Sequence, residues 1–73
     1  MQCPICGAPA EDITAADYDG LSVHCQVHGD YDIAGGSEAK LAELDTEDRM
    51  RVFEKAKRWA TPGTRPCISS ACF

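Results

Sequence analysis

The spacing of hydrophobic and polar positions changes period midway along this chain. Leu21-Ser22-Val23-His24-Cys25 alternates apolar and polar, as a strand buried on one face does. Asp30-Tyr31-Asp32-Ile33-Ala34 alternates the same way, and Gly35-Gly36 closes it. Upstream, Ile13–Tyr18 predicts a strand or extended arm, turned back by the hairpin signal Asp19-Gly20. Beyond Gly36 the pattern becomes helical. Ser37 is a good N-cap, Glu38 stands in the first turn, and Leu41 and Leu44 lie three apart, so a short helix is expected over 38–44. Asp45-Thr46 offers a second cap, with Glu47 and Asp48 suited to a helix N-terminus. Val52, Phe53, Ala56, Trp59 and Ala60 then form one apolar stripe, extended by Met50, until Thr61-Pro62-Gly63 stops the helix. In so small a domain this stripe is expected to face the sheet as core. Residues 64–73 have no period. They predict either a flexible tail or a segment whose Ile68 and Phe73 pack on the sheet or on a partner.

Length sharpens the picture. A 73-residue chain is one small domain, and such chains bury only about 60% of the surface they expose when unfolded. Much of the 44% hydrophobic content is Ala and Cys. A core that thin needs a staple: disulfides, a metal or a partner. The same arithmetic excludes a nucleotide-binding α/β domain and a large catalytic cleft. No run of apolar residues is long enough to span a membrane. The start Met1-Gln2-Cys3-Pro4 has neither the basic nor the apolar region of a secretory signal, so a cytoplasmic location is expected.

The cysteines supply the staple. There are five, an odd number that argues against a complete disulfide framework. Cys3-Pro4-Ile5-Cys6-Gly7 is a C-x2-C pair followed by Gly, and Cys25-Gln26-Val27-His28-Gly29 is a C-x2-H pair followed by Gly. Ligands spaced this way sit on tight turns whose amides point at the first sulfur. The residue after the second ligand takes positive φ, which Gly tolerates. Two such turns face to face give four ligands in a tetrahedron, the arrangement a structural Zn2+ adopts. The predicted set is Cys3, Cys6, Cys25 and His28, holding one ion. Iron is the chemical alternative, and the His makes it less suitable. His24 competes for the fourth position, but strand alternation turns it to the opposite face from Cys25. Cys67 or Cys72 competes only if the tail folds back. Three thiolates and a neutral His would leave a bound divalent ion with a net charge of about −1. They would also leave no open position for water, so the expected role is structural rather than catalytic.

The pattern Cys3-Pro4-x-Cys6-Gly7 followed by Cys25-x-x-His28-Gly29-x-Tyr31-x-Ile33 resembles the zinc ribbons at the N-termini of many bacterial and phage proteins. The likeness covers residues 1–36. It departs at His28, where those ribbons usually carry Cys. It implies a zinc ribbon, meaning an antiparallel sheet with two zinc knuckles, over 1–36; with the helices read from the periodicity, the expected fold is small α+β. One short and one longer amphipathic helix follow over 37–62, packed on the ribbon, and then a tail over 63–73, all in a single compact domain. Zinc ribbons serve as binding modules, so the resemblance implies a binding role rather than a reaction.

Charge divides the chain. Residues 1–48 hold eleven acids and one base, and residues 49–73 hold six bases and one acid. The net charge of −5 opposes direct nucleic-acid binding. The expected function is a non-catalytic, zinc-stabilised protein-binding module. Its acidic surface would suit an inhibitor or adaptor, of the kind phages and mobile elements carry, acting on a basic nucleic-acid-handling complex. The alternative is nucleic-acid binding through Arg51, Lys55 and Arg58, which share a helix face. Glu47 and Glu54, placed to pair with Arg51 and Arg58, weaken it. A thiol enzyme would need His24 or His28 beside Cys67 or Cys72, and nothing in the spacing demands this. The protein is therefore expected not to be an enzyme.

Overall fold

The computed structural model describes all of residues 1–73. It is a small α+β structure with a four-stranded mixed sheet in the order β1-β2-β3-β4 and two helices. β2 (Leu21–Cys25) and β3 (Gly29–Ile33) form an antiparallel hairpin in which Val23 faces Tyr31 and His24 faces Asp30. The alternation decides the faces. Val23, Cys25, Tyr31 and Ile33 are buried beneath the helices, while His24 and Asp30 are exposed on the other side of the sheet.

The first strand is not where its apolar letters suggest. β1 is Ala10–Asp12, paired antiparallel with β2, and the segment expected to be extended, Ile13–Tyr18, is loop and turn. Asp12 ends the strand. Its carboxylate accepts from the Thr14 amide (3.0 Å) and hydroxyl (2.5 Å), an Asx turn that diverts the backbone from the ladder. These bonds hold the Asp12 carboxyl below its ordinary range.

α1 (Ser37–Ala42) begins one residue earlier than expected. Gly36, in the left-handed region, takes the N-cap position, and Ser37 is buried in the first turn. α2 (Thr46–Trp59) has the predicted limits. The Asp45 carboxylate accepts from the Asp48 amide at 2.8 Å, and Ala60 is the C-cap. Val52, Phe53 and Ala56 are buried, but Trp59 leaves the core and is 62% exposed. No helix is long and apolar enough to cross a membrane.

The C-terminal segment joins the core. β4 (Cys67–Ile68) pairs parallel to β3, so the sheet is mixed rather than purely antiparallel. A short 3-10 turn (Ser70–Cys72) follows. The Asp32 amide donates to Pro66 and the Ala34 amide to Ile68, which seats Ile68 and Cys72 in the interior. Ile68→Ala should therefore cost about 2–5 kcal/mol, the usual range for emptying a buried aliphatic site. Urea unfolding measures this. A change of under about 0.5 kcal/mol, as at an ordinary surface position, would show the segment to be loosely attached.

Candidate metal centre

Two turns of nearly the same shape carry the candidate ligands. In the first, the Gly7 amide donates to the Cys3 carbonyl (2.8 Å), the Cys3 amide to Ala8 (2.8 Å), and the Ile5 amide to Cys3 Sγ (3.4 Å). In the second, at the tip of the β2–β3 hairpin, the Val27 amide donates to Cys25 Sγ, also at 3.4 Å. Gly7 and Gly29 close the turns at φ 76° and 77°, a conformation in which an L side chain would be strained.

The turns bring Cys3, Cys6, Cys25 and His28 together, with their ligand atoms all within 4.8 Å of one another. Cys6 Sγ lies 3.7 Å from Cys25 Sγ, and Cys25 Sγ lies 3.7 Å from His28 Nδ1. All five cysteines are free thiols. Three sulfurs and an imidazole in so small a volume are a donor set for a cation, because thiolates this close repel one another unless a positive charge lies between them. These side chains can hold one metal ion.

Local electrostatics prepare the sulfurs unequally. Burial pushes the Cys3 thiol up, but the Tyr31 hydroxyl and the backbone at Cys6 and Ile5 outweigh it, and the net shift is downward. Burial and the neighbouring Cys25 and Cys3 sulfurs push Cys6 up against the opposing hydrogen bond from the backbone at Ala8. Tyr31 is buried and its own ionisation is pushed well upward, so it stays a phenol and donates to Cys3 Sγ at 3.0 Å. A donor of this kind orients a ligand and favours its thiolate. Tyr31→Phe removes the donor and keeps the ring, and should weaken metal affinity about 10–100-fold. Competition with a chromophoric chelator measures the change, and unaltered affinity would deny Tyr31 this role.

α2 closes the site from above. The Phe53 ring meets His28 edge-on at 5.0 Å and Tyr31 at 5.2 Å, with Lys57 Nζ 5.4 Å from its centroid. Arg49 ties the helices to the first turn. It donates to the carbonyls of Leu41 (3.1 Å), Ala42 (3.1 Å) and, more weakly, Pro4 (3.5 Å). No protein-family model, curated protein or solved structure matches this chain.

The competing ligands lie elsewhere. His24 sits on the exposed sheet face against Asp30 (2.5 Å). Cys67 lies on that same face, 4.0 Å from the Tyr18 hydroxyl, and Cys72 Sγ points at the Cys67 carbonyl (3.9 Å). The sequence pattern picks out the four candidate donors but not the contacts of Tyr31, Phe53 and Arg49. Alternation in β3 places Tyr31 on the Cys25 face, which was a usable signal. The reach of Arg49 to Pro4 depends on tertiary contact and left no mark in the local pattern.

Proposed function

We propose that this chain is a non-catalytic protein-binding module. Its fold is a zinc ribbon held by one structural Zn2+ on Cys3, Cys6, Cys25 and His28. The observation that carries the metal assignment is the donor spacing. A tetrahedral zinc with bonds of about 2.3 Å to sulfur and about 2.1 Å to nitrogen needs S···S near ~3.8 Å and S···N near ~3.6 Å; Cys6–Cys25 and Cys25–His28 are each 3.7 Å apart, and all pairs of the four donors lie within 4.8 Å. Four protein donors leave no position for a reacting water, so the ion's contribution is to hold the two turns together.

The binding face in this reading is the side of the sheet that the helices leave open. Glu11, His24 and Asp30 stand in one row across it by strand register, with Asp32 further along. Arg65, 3.5 Å from Asp32, is the cation paired there. This excess of carboxylates suits a basic partner, and the partner we propose is a nucleic-acid-handling protein complex that the module inhibits or adapts. The helix is a weaker candidate for nucleic acid. Arg51 is engaged by Glu47 (3.5 Å) and Asp48 (3.2 Å), and Lys57 by Glu54 (3.2 Å), so the expected Glu54–Arg58 pair is replaced by Glu54–Lys57. Only Lys55 and Arg58 on that helix are without an acidic or carbonyl partner, too few for a phosphate-backbone surface.

Affinity capture from the natural host tests the reading. The captured complex should be basic and should dissociate as salt rises from about 0.1 M, where screening shortens to about 10 Å. Glu11→Gln with Asp30→Asn should weaken capture. Salt-insensitive capture, or retardation of nucleic acid by the protein alone in a low-salt gel shift, would contradict it.

A further inference from the structure

The single Trp of the chain is also its most conspicuous unburied aromatic. On α2, Asp48, Val52, Lys55 and Trp59 follow one ridge at i, i+4, i+7 and i+11. Asp48, Val52 and Lys55 form one wall of a groove between α2, the residues just after α1 and the C-terminal turn, and Trp59 stands one helical turn beyond it. Leu44, Val52 and Phe73 supply its apolar lining, and Lys55 together with the Arg51–Asp48 pair supplies its charged rim. Phe73, in the groove lining, is 40% exposed, and Trp59, beyond the groove on α2, is 62% exposed. Exposed aromatics beside cations form the composition of interface anchors.

The charges decide what fits. Arg51 is already paired, but Lys55 in the groove wall and Arg58 one turn from it have no acidic partner. A partner surface of the same sign would leave two cations facing cations. A segment carrying carboxylates beside a large apolar side chain would answer both the rim and the lining. We infer that this groove and the α2 surface just beyond it bind a short acidic, amphipathic segment of a partner protein, with Trp59 as anchor and Lys55 and Arg58 as carboxylate contacts. The groove lies on the helical side of the molecule, away from the open sheet face, so it is a second interaction surface.

The experiment selects a phage-displayed library of random linear peptides on the metal-loaded full chain. The expected consensus places Asp or Glu next to an aromatic or large aliphatic residue. Fluorescence anisotropy of a labelled consensus peptide should weaken about 30-fold with Trp59→Ala, and by a comparable factor with Lys55→Glu. Glu11→Gln with Asp30→Asn should leave it unchanged, which separates this groove from the sheet face. Circular dichroism checks that each variant is folded. Absence of an enriched consensus, a basic consensus, or peptide binding indifferent to Trp59→Ala and Lys55→Glu would overturn the inference. So would concentration-dependent self-association that Trp59→Ala abolishes, since the groove would then belong to a second copy of the chain.

Discussion

Removing a metal ion held by Cys3, Cys6, Cys25 and His28 should unfold the front half of this protein. With a strong chelator, or in Cys25→Ser, the far-ultraviolet circular dichroism of the sheet should give way to that of a disordered chain. Cys3, Ile5 and Cys25 are almost wholly buried, yet few backbone bonds join the first turn to the rest: the short β1 pairing and the Gln26 amide to the Pro9 carbonyl (3.4 Å), the Gln2–Pro9 bridge only closing the turn on itself. Small domains of this size have only about 5 kcal/mol to lose. A structural zinc site contributes on the order of 10–16 kcal/mol of apparent binding free energy near neutral pH. The larger number sets the expectation: without a cation the chain should lose the packing of three sulfurs and an imidazole. Acid should act in the same direction, because protons compete with the metal for the thiolates. Native circular dichroism in the chelated protein would contradict this expectation.

The second large effect is on the helix that covers the site. Phe53→Ala should lower stability by about 3–5 kcal/mol, the cost of removing a large buried ring. Phe53 is 1% exposed and touches His28, Tyr31 and Lys57, so its loss opens the ceiling of the candidate centre as well as the core. The midpoint of urea unfolding should fall with little change in slope. Trp59→Ala, six residues along the same helix, is the control. With its ring mostly in solvent, it should change stability by no more than about 0.5 kcal/mol. Equal losses in the two variants would mean that the stripe is buried along its whole length, contrary to the packing described.

That contrast shows where the sequence is informative and where it is not. The helical period places Phe53 and Trp59 on one stripe, but Phe53 is buried and Trp59 is mostly in solvent. Periodicity reports direction around a helix and carries no information on how far the supporting layer extends. The limits of α2 were legible because the Asp45 cap and the Thr61-Pro62-Gly63 stop are local chemistry. β2 and β3 were legible because each buries one face. β1 and β4 were not. At three and two residues they are too short to alternate visibly, and each exists because a neighbouring strand offers an unpaired edge. The ligand set stood out because two turns repeat the same spacing and the same glycine. The residues that tune it, Tyr31 and Arg49, act across 28 and 45 positions of sequence, where no local pattern reaches.

Native mass spectrometry of the purified protein, before and after chelation, shows whether one ion holds the two turns together. The account predicts a single peak series at the chain mass plus one zinc ion, with a narrow charge-state distribution. After chelation it predicts the metal-free mass and the broad, highly charged distribution of an unfolded chain. A metal-free protein that keeps the narrow distribution would show that this fold stands without its ion.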